Sequence, residues 1–462
     1  MTTEWNWDAS VSIFPASPPK IGMLLGFIVY QVYLNEDEDD VTRKKIGGCG
    51  GCNFADRKEL WVVIPGCVAA LPGLGSGEQA PAVRPAVESV RIVPVSDSRD
   101  MRRFIRVPWS VYADDPTWVP HLLVERREHF SPRNPYFGHA RCCFWLAYRG
   151  TRPVGRISAQ IDELHQGRYR DAIGFFGFLE AENEAGTFHG LLSTAEVWLR
   201  DQGMLRIRGP FNFSINQECG LLVDGYDTPP MIMMGHSRPY YAAQLTAEGY
   251  HGVKDLLAYR LSTHFTPPEF MKAVLNKAAG RARVRPLRKS QLNEDLEIIK
   301  DIFEDAWSTN WGFIPFTRDE VRHLGYNLRL LVDDDAVQIA EVDGLPAAMI
   351  VALPNLNEVI RDLQGRLLPF GWLKLLWRLK VKSPKTARVV LMGVRKRFQR
   401  SPLGAALAFL LIDAVRGYGI RRGVQEVELS WILEDNMPMR NILTMVGGAP
   451  YKRYRIYEKA FR

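Results

Sequence analysis

The closing segments of the two halves of this chain match residue by residue. Leu245-Thr246, Gly249, Lys254 and Tyr259 recur at identical spacing as Leu443-Thr444, Gly447, Lys452 and Tyr457. Self-similarity of this kind means one structural unit written twice, so any acceptable fold must hold two copies. The order of predicted elements agrees. In the first half, periodicity reads as strand 90–95, helix 100–112, a hairpin of 142–148 and 153–162, strand 173–179 and an amphipathic helix 187–202 stopped by Gly203. A short basic strand 204–208, helix 239–248 and strand 256–262 complete it. The second half runs strand 283–287, helix 292–308, and a hairpin of 336–342 and 345–353 around Asp343-Gly344. Strand 388–394, helix 403–418, strand 424–432, helix 438–446 and a tyrosine-rich strand follow. The fold class is α/β with mixed, α+β-type sheets: two like domains in tandem.

The expected boundaries are 89–264 for the first domain, 265–282 for a linker helix and 283–462 for the second domain. Residues 1–88 mix proline, glycine, an acidic run at 36–40 and apolar fragments without sustained period, and are expected to form a poorly ordered extension. One insertion breaks the repeat, at 355–384, inside the second domain. Its core, LLPFGWLKLLWRLKVK, sets Trp372 and Trp377 among leucines with Lys374, Arg378, Lys380 and Lys382 interspersed. That composition suits an interfacial membrane segment, and equally a helical hairpin packed on its own domain.

Between the halves' matching elements lies the stretch 209–230, GPFNFSINQECGLLVDGYDTPP. A long loop in a compact domain is usually functional or disordered. Disorder fits poorly here, because Phe211, Phe213, Leu221, Leu222, Val223 and Tyr226 alternate with the polar groups. The stretch therefore reads as one wall of an active site, or as a packed Ω-loop with buried hydrogen bonds.

Composition narrows the partners. A net charge of +7 suits an anionic partner, and with no basic low-complexity tail the choice falls on a phosphorylated cofactor or a membrane surface, not nucleic acid. Six cysteines in 462 residues make no disulfide framework, and a reducing cytoplasm fits. Cys142 and Cys143 are expected to pack within a strand. Cys49 and Cys52 form a lone CxxC without a second pair, and no metal site is expected. No apolar run reaches the ~20 residues that span a bilayer. The nearest, 21–34, is too short and lacks the basic residues that precede a signal peptide's apolar core. No paired-carboxylate helix motif for magnesium is present, which argues against a nucleotide hydrolase.

The element order resembles the GNAT acyltransferase fold, here duplicated. In that family a turn after the fourth strand cradles the coenzyme A pyrophosphate on backbone N–H groups at a helix start. The matching stretch of the second half is RKRFQRSPLGAAL, 395–407, where Ser401 stands in place of the usual Gln or Arg. The first half offers EAENEAG at 180–186, whose acidic residues would repel a pyrophosphate. The resemblance thus implies acyl-CoA as co-substrate, with no permanently bound cofactor, held on the second half by Val394, Arg395, Arg400, Ser401, Leu403, Gly404, Ala405, Ala406 and Asn436. The tyrosine that protonates the departing thiolate in GNAT proteins falls on Leu443, and on Leu245 in the first half. At a finer level, 209–230 and PYYAAQLTAEGY look like a bacterial double-GNAT family that includes bacterial ceramide synthases. This implies transfer of a fatty acyl group to the amine of a sphingoid base at the cytoplasmic face of the inner membrane, on an anionic surface. Another small amine as acceptor, or a non-catalytic module binding acyl-CoA or lipid, are the alternatives.

Amide formation from a thioester needs a neutral amine, a polarised carbonyl and a proton for sulfur. Glu218 is the first candidate base, its pKa expected to be raised by apolar neighbours. Asp224 and His236 come next. Asn212 and Asn216 are candidates to orient the amine, and N–H groups around Gly393 to polarise the carbonyl. Tyr240, Tyr241, Tyr451 and Tyr454 are candidates for the missing acid.

Overall fold

The computed structural model describes residues 89–278, 280–328 and 332–461, all within one compact unit. The amino-terminal extension, its apolar run and the Cys49–Cys52 pair lie outside the described residues. The first half contains β1 (Val90–Pro94), α1 (Ser98–Val111), α2 (Leu123–His129), β2 (Ala140–Arg149), β3 (Arg152–Asp162), α3 (Glu163–Tyr169), β4 (Ile173–Ala181), α4 (Ala185–Asp201) and β5 (Arg206–Gly209). Short strands β6 (Phe211–Asn212), β7 (Glu218–Cys219) and β8 (Leu221–Asp224) follow, then α5 (Tyr241–Ala247) and β9 (His251–Ser262). After α6 (Glu269–Ala278), the second half contains β10 (Ala282–Pro286), α7 (Leu292–Trp307), α8 (Arg318–Leu328), β11 (Val337–Val342) and β12 (Leu345–Pro354). It continues through α9 (Leu356–Ile360), α10 (Gly371–Trp377), β13 (Thr386–Val394), α11 (Pro402–Arg421), β14 (Glu426–Leu433), α12 (Met437–Met445) and β15 (Ala449–Ala460).

Local chemistry explains the elements. Asp97 caps α1 by accepting the Asp100 N–H at 2.7 Å, and α7 buries Leu292, Leu296, Ile299 and Phe303 on one face. The run IGFFGFL of β4 is buried on both faces, as a strand flanked by helices and a parallel neighbour must be. The repeat has a structural meaning. Leu245 and Leu443 are fully buried. Gly249 and Gly447 follow their helices with φ of 84° and 87°, where a side chain would be strained. Their N–H groups donate to Thr246 and Thr444 carbonyls at 3.0 Å each.

Thirteen of the described strands form one sheet, ordered β1-β2-β3-β4-β5-β15-β9-β14-β13-β12-β11-β10, with β8 also on β15, and β6 and β7 form a separate pair. The final strands are exchanged: β9 of the first half pairs with β14 of the second, and β15 pairs with β5 and β9. Neither half closes its sheet with its own last strand, a feature that nothing in the local sequence signals.

Each half contains a pair of parallel strands that part. The β4–β5 pairing ends at Phe175↔Arg208, and β13–β14 at Val389↔Leu429. Because β5, β15, β9 and β14 are successively antiparallel, the two gaps open toward opposite edges of the sheet. Helix α11 is long and apolar enough to cross a membrane, but it packs against α6, β11, β12 and β13 as a core helix.

The insertion packs on the first half with one face and exposes apolar side chains on the other. Leu363, Leu367, Leu375 and Leu379 pack with Val119, Leu122 and Val124 of the first half. The Leu123 N–H donates to the Gly365 carbonyl at 2.9 Å. Only glycine fits there, since a Cβ would lie 2.7 Å from both the His121 carbonyl and the Trp109 ring. On the opposite face Phe370, Leu373, Trp377 and Val381 stand exposed, Phe370 at 72%.

Candidate active site

The loop after β5 is ordered by aromatic packing and by hydrogen bonds to β4. A Cβ on Gly177 would lie 1.8 Å from the Phe211 carbonyl, so the loop backbone lies directly on the strand. Asn212 Oδ1 accepts the Phe178 N–H at 2.7 Å. Phe213, with φ 80°, stacks on Tyr136 at 5.0 Å, whose hydroxyl donates to the Phe213 carbonyl at 3.1 Å. The first gap is therefore filled by residues 211–213 of the chain itself.

Asn212 Nδ2 also donates to Glu218 Oε2 at 2.9 Å, which turns that carboxylate toward α2. Arg126 Nη2 lies 3.8 Å from Glu218 Oε1 and is bound to Glu125 at 2.7 Å. The expected upward shift of Glu218 is corrected here. Burial alone would raise it, but Arg126, His121 and Asn212 together hold the carboxyl at about 2. It is an ionised group at neutral pH, not a poised base. The imidazoles beside it behave oppositely. Burial and then Arg126 push His129 down to about 3, and burial, then Arg126, lowers His121. Both are neutral at pH 7. Arg126, His121 and His129 were missed because the short segment 121–129, HLLVERREH, shows no sustained periodicity and carries no recognisable motif.

The other candidates separate. Asn216 Nδ2 donates to the Ile314 carbonyl of the second half at 3.0 Å. Asp224 is exposed at the end of β8, opposite Arg453. His236 Nε2 lies 2.9 Å from Asp115 Oδ2, and burial lowers its pKa. Among the tyrosines, Tyr240 donates to the Ala181 carbonyl at 2.7 Å. Tyr241, fully buried, accepts the Ala181 N–H at 2.9 Å, and Tyr451 is bound to Glu428. The Tyr454 hydroxyl is buried without a partner. Cys142 and Cys143 are buried in β2, and Gly393 lies in β13 opposite Met349.

The second gap differs from the first. Past Val394 the chain turns through 395–401 into α11, where Ser401 Oγ accepts the Gly404 N–H at 3.1 Å and donates to the Phe398 carbonyl at 2.6 Å. Gly404 is required because a Cβ would sit 2.1 Å from that carbonyl. Arg400 has φ 59°, Leu403 and Ala405 are half-buried, and Ala406 faces the core. The Val394 carbonyl accepts Gln399 Nε2 at 2.8 Å, and Arg395 Nη2 binds Asp301 at 2.5 Å. Asn436 caps α12 by accepting the Met439 N–H at 3.3 Å. Across the closed end of this gap Arg388 reaches from β13 to Ser430 Oγ on β14 at 2.8 Å and to the Ile232 carbonyl of the loop at 3.0 Å. Glu428 lies 3.5 Å behind it.

The loop also faces residues 311–314. A narrow crevice there is lined by Asp162, His165, Arg208, Ser214, Ile215 and Trp311 among others. The Trp311 ring sits between Arg208 Cζ at 5.1 Å and Lys254 Nζ at 5.9 Å. The sequence-predicted wall is thus shared by both halves.

A duplicated strand and helix order with a parted parallel strand pair in each copy is the tandem GNAT arrangement, and the chain is an acyltransferase of that class. It is 44% identical over 375 residues to the bacterial ceramide synthase of Caulobacter vibrioides (strain NA1000 / CB15N), covering 80% of this chain and 97% of the relative. It is 46% identical over 364 residues to protein YghO of Escherichia coli (strain K12), covering 79% and 93%. The chain belongs to the family that contains these two proteins. No protein-family model matches it. Among solved structures, a tandem GNAT protein from the clavulanic acid biosynthesis pathway is 14% identical with TM-score 0.47, covering 80% of this chain and 98% of that one. A GCN5-related N-acetyltransferase from Sphaerobacter thermophilus is 13% identical with TM-score 0.44, covering 80% and 96%.

Proposed function

We propose that the protein transfers a fatty acyl group from acyl-CoA to the amine of a long-chain sphingoid base, while bound to the cytoplasmic face of the inner membrane. The observation that carries this reading is the contrast between the two gaps. The first is filled by Phe211 and Asn212 and followed by acidic residues 180–184. The second runs out into a capped helix start with Arg395, Lys396, Arg397 and Arg400 around it. The backbone N–H groups of Arg397, Arg400, Ser401 and Leu403, which no protein acceptor is shown to take, and these cations suit a pyrophosphate. Val394, Leu403, Gly404 and Ala405 would line the pantetheine side, and Asn436 the far strand.

The amine reaches the thioester from the loop side. Glu218, ionised and next to Arg126, favours the incoming ammonium. The imidazole of His121, neutral at pH 7, takes its proton, which leaves the amine free to attack. The insertion supports a lipid amine over a soluble one. It packs on the segment that carries His121 and Arg126 and shows an apolar face to the outside. Purified protein incubated with long-chain acyl-CoA should release free thiol only when a sphingoid amine is added. Release without the amine, or none with it, contradicts the reading.

A further inference from the structure

Trp431 is the second residue beyond the last β13–β14 pair, where the β14–β9 register also shifts. Its indole Nε1–H is buried and has no hydrogen-bond partner. Buried tryptophans usually find an acceptor. Trp307, on the other side of the same gap, does so, donating to the Met392 carbonyl at 3.0 Å. The unpaired N–H of Trp431 is not the result of a loose ring. Arg388 Cζ lies 4.9 Å from the ring centroid, and the guanidinium is fixed by Ser430 Oγ, the Ile232 and Met233 carbonyls and the Ser430 carbonyl. On the loop side the ring packs against a cluster that contains Met231, Met234, Leu256 and Tyr454, and no hydrogen bond joins its N–H to the Tyr454 hydroxyl, itself buried without a partner.

We infer that Trp431 donates its indole N–H to the thioester carbonyl oxygen of the acyl donor. This rests on the acyl-transfer reading above and adds a catalytic residue to it. A chain that enters from 395–404 runs between the parted strands toward their closed end, and there it meets this donor. As the amine nitrogen forms its bond to the carbonyl carbon, the carbon–oxygen π pair moves onto oxygen, where the N–H receives it. Collapse restores the carbonyl and breaks the carbon–sulfur bond. The electron pair leaves on sulfur, and the proton lost by nitrogen balances the thiol. A donor already in place, in an apolar setting and above a fixed cation, needs no reorganisation as the charge forms.

The test uses the full chain with palmitoyl-CoA and sphinganine, following amide by mass spectrometry. Trp431→Phe keeps a ring over Arg388 and removes only the donor. The benzothiophene analogue of tryptophan at position 431 keeps the full shape and also lacks the N–H. Both should lower kcat by about a hundredfold, as loss of one such donor does elsewhere, with KM for palmitoyl-CoA and the melting temperature unchanged. A wild-type protein that makes no amide contradicts the acyl-transfer reading itself. A wild-type protein that makes amide, with either folded variant within about threefold of it in kcat, overturns the role of Trp431 alone.

Discussion

Asn212 holds the N–H of Phe178 at 2.7 Å through its side-chain oxygen, and so closes from within the gap that the second copy leaves open. The same side chain orients Glu218. Replacing Asn212 with alanine leaves a backbone donor and a carboxylate oxygen without their partner, which costs about 1–3 kcal/mol. Denaturant unfolding should show that loss, with acyl-CoA affinity unchanged, since the proposed acyl-CoA site lies on the other copy.

Glu218 supplies charge. Its carboxyl falls from the ordinary 4.5 to about 2 in the fold. A depressed carboxyl stabilises the protein fully above its unfolded value, and that stability is lost as pH falls from about 4.5 toward about 2. The contribution is on the order of 3 kcal/mol. Glu218→Gln should flatten this acid limb of stability and raise KM for the amine about tenfold. The acid-side pKa of kcat between pH 5 and 8 should be unchanged, because this carboxyl does not titrate there. Steady-state kinetics across pH separates these outcomes.

His139 joins the halves. Its Nδ1 lies 3.2 Å from Asp162 and its Nε2 3.3 Å from Glu320 of α8. Burial opposes the charge, but the two carboxylates raise the imidazole to about 9. A raised histidine stabilises fully below its unfolded value near 6.5, and that stability declines as pH climbs through about 9. His139→Gln should lower the urea midpoint at pH 6.5 and have little effect at pH 10.

Much of this architecture was legible in the sequence because its signals are local. The hairpins at 149–152 and 343–344, the stop of α4 at Gly203 and the repeat all announce themselves within a few residues. Helices α2, α3 and α8 were missed, being short or weakly periodic. The exchange of β9 and β15 has no local signature, since pairing partners are chosen across the whole chain. The site was half legible for the same reason. The loop was found from its own composition, while Arg126, which sets the ionisation of Glu218, and Arg388, which fixes Trp431, are distant in sequence.

The insertion's two faces predict different consequences. Leu375 and Leu376 are buried, so polar residues there should destabilise the fold. Polar replacements at Phe370, Leu373, Trp377 and Val381, all exposed, should leave the melting temperature unchanged. They should release the protein from anionic vesicles in a flotation assay, since in the proposed function these side chains are the apolar contact with lipid.

The most direct test of the account is hydrogen exchange with and without a non-reactive acyl-CoA analogue, because the account rests on one of two duplicated gaps taking the cofactor. Protection should appear at 390–406 and 430–437, with 173–191 unchanged. Equal protection of 173–191, or protection there alone, would contradict it.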